Sequence, residues 1–178
     1  MFVNNTCAVI AAVDSKGGFA KDKKMPWHYP EDSKFFKKMT YGNICVMGRS
    51  TYEELSLFPN SIESTVLPNR TCFVVSKSPY FKVTETSNNM PNAIHVRSIN
   101  DIGKNLKPDD KRSIFFIGGH GIFVEGLALS QTAYITLVNK DYQCDKFFPV
   151  SQLLSNFNKV ISSPGKSEDL TFVTYHRK

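Results

Sequence analysis

Ile114-Phe115-Phe116-Ile117-Gly118-Gly119-His120-Gly121-Ile122-Phe123 is the stretch on which the fold turns. Four consecutive apolar residues run into three glycines among four positions, and an apolar run then resumes. A short apolar run without polar alternation suits a strand buried on both faces, as in a parallel sheet covered by helices. Glycines let the chain turn sharply and let a ligand approach the backbone. The reading is therefore strand, turn, helix, with the helix over Gly121–Leu129. Working outward, similar runs stand at Cys7–Val13, Ile44–Met47, Cys72–Val75 and Ala133–Val138, with helices predicted at Glu31–Met39, Ser50–Leu55 and Ile99–Leu106. Such alternation reads as α/β, a central, mostly parallel twisted sheet with flanking helices. Beyond Val138 the pattern changes. Lys146–Phe148, Asn158–Ser162 and Leu170–His176 follow without a long helix between them, the last two joined through Ser163-Pro164-Gly165. That predicts antiparallel pairing and a C-terminal hairpin at the sheet edge.

The 178 residues suit one domain spanning 1–178. Apolar residues make up 41% and charged residues 21%, ordinary globular usage that excludes a disordered chain. Asn60–Pro68 and Lys82–Pro91 read as loops rather than linkers. No run of about 18 apolar residues exists to span a bilayer, and Met1–Thr6 lacks the basic-then-apolar order of a signal peptide. The expected location is cytoplasmic. Cys7, Cys45, Cys72 and Cys144 form no CxxC pair, and three of them lie in apolar runs, so buried free thiols are expected. The net charge of +6 and pI of about 9.1 fit a nucleic-acid binder, a solvated surface, or a cleft for a small polyanion. Scattered lysines without a recognition-helix or RNP-like string argue against nucleic acid.

Three segments carry chemistry. In Met25-Pro26-Trp27-His28-Tyr29-Pro30-Glu31-Asp32-Ser33-Lys34-Phe35-Phe36, Pro30 suits the first position of a helix, where its missing N–H costs nothing. Asp32 then falls in the first turn with Phe36 on the same face. The pair is either dipole complementarity at a helix start or a carboxylate at the mouth of an apolar cleft. In Val46-Met47-Gly48-Arg49-Ser50-Thr51-Tyr52 a strand meets a helix expected to start at Ser50 or Thr51. An ordinary cap explains this as well as a phosphate site does. The Gly118–Gly121 turn is not GxGxxG and lacks the acidic partner of a Rossmann fingerprint, which leaves another kind of pyrophosphate turn open. His120 there is either a base or an exposed loop histidine.

In their order and spacing these segments resemble the dihydrofolate reductases over nearly the whole chain. The resemblance implies that family's fold, NADPH as cofactor, dihydrofolate as substrate and antifolates as inhibitors. Ile10, Ala11 and Ala12 match its first strand. Asp32, five residues after Pro26-Trp27, matches the carboxylate that grips the pterin, with Thr136 of Tyr134-Ile135-Thr136 as its support. The implied catalytic set is Asp32, Trp27 and Thr136. The implied substrate set is Ile10, Ala11, Asp32, Phe36, Leu67, Arg70, Ile117 and Thr136, with Arg70 of Leu67-Pro68-Asn69-Arg70 holding the glutamate tail. The implied cofactor set is Ala12, Ala20, Met25, Gly48, Arg49, Ser50, Thr51, Ser76, Lys77, Ile117, Gly118, Gly119, His120, Gly121, Ile122 and Phe123. Of these, Ser76-Lys77 stands at the 2′-phosphate and Gly118-Gly119 at a cis peptide bond.

The chain departs from the family pattern at Ala20 and Asn69, where glycine is usual or common, and at Ser33 and Phe123, where an apolar residue and tyrosine are expected. Lys21, Lys23 and Lys24 make the loop before Met25 basic, and the loop between Leu57 and Leu67 is long. A monomer is expected, with neither nucleic acid nor membrane as a partner. The alternatives are a reductase of the same fold acting on a ribosylamino-pyrimidine, which has no use for Arg70, and a basic nucleic-acid-binding protein.

Overall fold

The computed structural model describes residues 2, 4–56, 66–83 and 92–178. Most of the loop between Leu57 and Leu67 and most of Lys82–Pro91 lie outside the described residues. The elements run β1 (Cys7–Val13), β2 (Gly18–Ala20), α1 (Pro30–Thr40), β3 (Ile44–Gly48), α2 (Arg49–Ser56), β4 (Thr71–Val75), β5 (Ala93–Val96), a 3-10 turn (Ile99–Asn105), β6 (Ile114–Gly118), α3 (His120–Leu129), β7 (Thr132–Val138), β8 (Lys146–Phe147), α4 (Val150–Asn156), β9 (Phe157–Pro164) and β10 (Leu170–Arg177).

Among the described residues the main sheet has eight strands in the order β5-β4-β3-β6-β1-β7-β10-β9. The first six are mutually parallel, and β10 runs antiparallel to both β7 and β9. The unbroken apolar runs occupy the middle, where Val9, Ile44, Val46, Phe73, Ile114 and Phe116 are buried. Helix α3 is apolar almost all round because it is pressed onto this sheet. A Cβ built on Gly126 would stand 2.6 Å from Phe116 Cβ, so only glycine allows that approach.

One pairing expectation needs correction. Lys146–Phe147 does not join the C-terminal edge but pairs with Gly18–Ala20 in a separate two-stranded sheet. The segment before Phe157 holds only a short helix, α4, in keeping with the expected lack of a long one. The helices over 49–56 and 120–129 start one residue earlier than predicted, and the predicted helix at Ile99–Leu106 is a 3-10 turn. Strands β2 and β5 were not foreseen; at three and four residues, each depends on a neighbouring strand rather than on its own pattern.

Helix α1 begins as expected. Tyr29 is extended, Pro30 opens the first turn, Glu31 and Asp32 sit at the positive end, and Lys37 and Lys38 lie in the last turn. The chain between β1 and α1 crosses the carboxyl ends of the strands, tied at its root by Asp14. Burial pushes that carboxyl up, but the N–H groups of Gly18, Tyr142 and Lys16 that it accepts hold it below the ordinary carboxylate value.

Candidate active site

Strand register decides where a ligand can go. Gly48 of β3 lies level with Val75 of β4, Val75 with Val96 of β5, and Met47 with Gly118 of β6. Four parallel strands therefore end together, and the crevice beyond such carboxyl ends is the usual ligand site of an open α/β sheet. Helices α2 and α3 start at once from the neighbouring strands β3 and β6. Two helix N-termini, each with free N–H groups and a positive dipole end, thus flank one crevice and favour an anion.

A cavity of about 300 Å³ opens there, walled by Ile10, Ala11, Ala12, Phe19, Met25, Asp32, Ser33, Phe36, Thr51, Glu54, Leu55, Leu67, Ile117, Gly118, Phe123 and Thr136. Its walls are largely apolar. Asp32 projects from the first turn of α1, and Phe36 shares its face one turn on. From β7 the buried Thr136 hydroxyl donates to Asp32 Oδ1 at 2.7 Å. Burial raises the Asp32 pKa, the Thr136 hydrogen bond lowers it, and neighbouring Glu31 raises it; the net shift is upward. An oriented carboxylate with a spare oxygen, set in apolar walls, suits a flat heterocycle that presents paired N–H donors.

Half of the expected residues meet at this cavity. Ile10, Ala11, Phe36, Leu67 and Ile117 line it with Asp32 and Thr136, as do Ala12, Met25, Thr51, Gly118 and Phe123. The Gly118–Gly119 peptide is cis, and Gly118 has φ +120. A Cβ on Gly118 would lie 3.0 Å from Phe123 Cζ and 3.6 Å from Thr51 Oγ1. Gly48 sits across from the same turn, its Cβ position 3.8 Å from Gly119 N. The three glycines make a cradle in which backbone, not side chain, faces an incoming group. Helix α3 then runs on through His120, Gly121 and the buried Ile122.

Other expected residues stand outside the cavity. Trp27 is buried behind it against Ala12, Val138 and Leu170, its ring 5.1 Å from that of Tyr142. Its Nε1 is buried with no hydrogen-bond partner among the described residues. Arg70 is also buried; Nη1 donates to Thr40 Oγ1 at 3.3 Å, and Nε has no partner among the described residues. Ala20 belongs to β2, where its carbonyl accepts from Asp145 N. His120 is exposed, and its Nδ1–H donates to the Phe147 carbonyl at 2.8 Å.

At the rim beyond β3 and β4 stand Arg49, Ser50, Ser76 and Lys77. Arg49 and Ser50 are exposed at the start of α2; the Arg49 guanidinium binds Glu53 Oε1 at 2.6 Å and lies 5.4 Å from the centre of the Phe81 ring. Ser76 is buried, and its carbonyl accepts from His95 Nε2 at 2.8 Å, while Lys77 is exposed.

Sequence reading missed Phe19, Glu54 and Leu55 in the wall, and Arg97 just past the end of β5. Phe19 lies beside Ala20 in β2, and Glu54 and Leu55 fall one turn after Thr51 on α2. Helical spacing from Thr51 pointed to the last two. Arg97 became visible only once β5 was known.

The comparisons agree with this geometry. The family model described as Dihydrofolate reductase matches residues 6–177. A bifunctional dihydrofolate reductase-thymidylate synthase of Paramecium tetraurelia is 31% identical over 173 residues, 95% of this chain but 33% of that protein, so this chain spans about a third of it. A dihydrofolate reductase of Bacillus subtilis is 28% identical over 95% of this chain and 93% of its own length. Among solved structures, a dihydrofolate reductase from Enterococcus faecalis complexed with NADP(H) and RAB-propyl superposes with a TM-score of 0.79. It is 30% identical and covers 98% of this chain and 97% of that one.

Proposed function

The chain belongs to the dihydrofolate reductase family, and we propose that it reduces 7,8-dihydrofolate to 5,6,7,8-tetrahydrofolate with NADPH in the cavity headed by Asp32. The observation that carries this reading is the 2.7 Å hydrogen bond from Thr136 to Asp32 at the floor of an apolar slot. Asp32 Oδ1 is engaged, which leaves Oδ2 and the second lone pair of Oδ1 for the 2-amino and ring N–H groups of a pterin. That charge-assisted pair orients the ring. The field of the carboxylate also favours the protonated pterin that accepts the hydride.

The cofactor fits the residues present. Gly48, Gly118 and Gly119 leave room for a pyrophosphate between the starts of α2 and α3. Thr51, Ile122 and Phe123 flank that turn, Met25 and Ala12 border the nicotinamide end, and Arg49, Ser76 and Lys77 stand where a 2′-phosphate belongs. When bound, NADPH supplies the hydride. The chain's own work is to hold the two rings face to face and exclude water. Phe36, Leu67 and Ile117 shape the slot around the pterin and benzoyl groups, and Arg70 takes the glutamate carboxylate. Trp27 leaves its indole N–H for the water expected between indole, pterin and Asp32.

We further read the chain as one domain over 1–178, monomeric and cytoplasmic. Supporting this, β1 pairs with β6 and β7, and the C-terminal strand closes onto β7, so both halves build one sheet. All four cysteines are free; burial pushes the Cys7 thiol up to about 11 and that of Cys72 to about 12, which leaves them unreactive. No helix among the described residues is long and apolar enough to cross a membrane. The test of function is loss of NADPH absorbance with dihydrofolate. Turnover is expected; none with dihydrofolate, but turnover of a ribosylamino-pyrimidine, overturns the reading.

A further inference from the structure

We infer that Glu54 is a positioning residue that latches the loop 20–25 shut over the cavity. This rests on the reading of the cavity as the site of hydride transfer, but its structural part stands on geometry alone. Glu54 projects from α2 into the cavity wall, and its Oε1 accepts the backbone N–H of Met25 at 2.9 Å. Met25 lines the same cavity and is 46% exposed, so little packing fixes it from outside.

The other end of the loop is held in the same way. The Asp22 N–H donates to Asp145 Oδ2 at 2.9 Å, and between these two grips the chain makes a tight turn closed by the Lys21–Lys24 bridge. Asp22 and Lys23 carry it through positive φ, at 48 and 64. Two carboxylates, one from α2 and one from the loop before β8, thus clasp one short, basic loop. The lysines of the loop, otherwise without a role in the site, favour its approach to both acids. Neighbouring Glu53 is already paired with Arg49, so Glu54 is the carboxylate of α2 available to the loop.

A closed loop keeps water out of a hydride-transfer site, and its opening sets the release of ligands. Removing the acceptor while sparing every group that touches the pterin should therefore speed ligand release more than it slows chemistry. The loop also carries its own reporter, because Lys21, Lys23 and Lys24 are trypsin sites that a clasped turn protects.

The experiment is limited trypsin digestion of the intact chain, wild type against Glu54→Ala and Glu54→Gln, with cleavage mapped to each lysine. Glu54→Ala should speed cleavage at 21–24 about tenfold without changing cleavage at Lys111, since a hydrogen bond to a charged acceptor is lost. Glu54→Gln keeps an acceptor oxygen and should fall between. In turnover, Glu54→Ala should raise KM for dihydrofolate severalfold with kcat changed less than twofold. Unchanged cleavage at 21–24, or equal acceleration at Lys111, overturns the latch. Wild-type protein that is protected at 21–24 yet does not turn over dihydrofolate overturns the proposed reaction and leaves the latch standing.

Discussion

The two ends of the cleft hold charge in opposite ways. At the floor, one carboxylate, Asp32, sits in apolar walls with one hydroxyl to orient it. At the rim, Arg49, Lys77 and Arg97 are exposed just past level strand ends, and the pairing found there among the described residues, Arg49 with Glu53, joins side chains that are each about half exposed (52% and 53%). A charge in low dielectric acts strongly and has few substitutes, whereas charges in water act weakly and in numbers. The floor should therefore fail at single substitutions and the rim only at combined ones.

The largest expected effect is at Asp32. Asp32→Asn keeps the shape and an acceptor for Thr136 but removes the charge. It should lower kcat/KM by about 2–4 kcal/mol of transition-state stabilisation, as expected of one oriented electrostatic group. The same variant should be more stable than wild type at neutral pH. Burial, the largest cause, raises the folded-state pKa of Asp32 above its unfolded value of 3.8. Ionisation therefore costs stability, and that cost appears as pH rises from 3.8 through the raised value. The gain in Tm from Asp32→Asn should thus grow from acid toward neutral pH. A constant gain across that range breaks the contrast between floor and rim.

Arg70 comes next and tests whether the buried regime extends to the tail end of the cleft. Its guanidinium is buried with Nε lacking a partner among the described residues, which leaves one of its hydrogen-bonding edges for a carboxylate. Arg70→Lys loses the fork and should raise KM for dihydrofolate by about 1.5–3 kcal/mol equivalent, the worth of a charged hydrogen bond. Binding of a pterin lacking the glutamate tail should stay unchanged. Equal weakening of both ligands would assign Arg70 to the fold through Thr40.

Thr136→Val removes the donor that holds Asp32 Oδ1. The loss should be about 1–2 kcal/mol in kcat/KM. Because the Thr136 hydrogen bond lowers the Asp32 pKa, its removal should carry the acid limb of the pH profile to higher pH. A fall in rate with an unmoved limb would mean that Thr136 only packs.

What the sequence disclosed follows the same division. Part of the floor was legible because it is local: Pro30, Asp32 and Phe36 lie within two turns of one helix, although that spacing alone left dipole complementarity open, and Thr136, on a distant strand, was named only through the family resemblance. The parallel core was legible because strands covered on both faces carry continuous apolar runs, as Ile44–Met47 and Ile114–Ile117 do. What escaped depends on pairing. Lys146–Phe147 was expected to pair antiparallel, but at the sheet edge; its partner Gly18–Ala20 is too short for any pattern and is a strand only through that pairing. Ala93–Val96 is a strand because β4 offers it an edge. Arg97 is the consequence: its place beside Ser76 follows from the register Val75 with Val96, which no local pattern reveals.

The smallest effect, and the one that tests the rim, concerns cofactor choice. The strands β3, β4 and β5 end level, so the residues after them, Arg49, Ser76-Lys77 and Arg97, come together by register. Each exposed cation should contribute about 0.2–1 kcal/mol to a phosphate, screened by salt. Arg49 contributes at the low end, because its guanidinium already has Glu53 and the Phe81 face as partners. Arg49→Gln or Lys77→Gln alone should therefore weaken NADPH binding less than about threefold. Adding Arg97→Gln to both should weaken it about ten- to thirtyfold at low salt, and NADH binding should hardly change because NADH lacks the 2′-phosphate. Raising ionic strength should shrink the difference between the triple variant and wild type, whereas the Asp32→Asn loss should persist. A single rim substitution as costly as Asp32→Asn, or a triple-variant loss indifferent to salt, would mean that the 2′-phosphate is held in a buried pocket and that both ends of the cleft work alike.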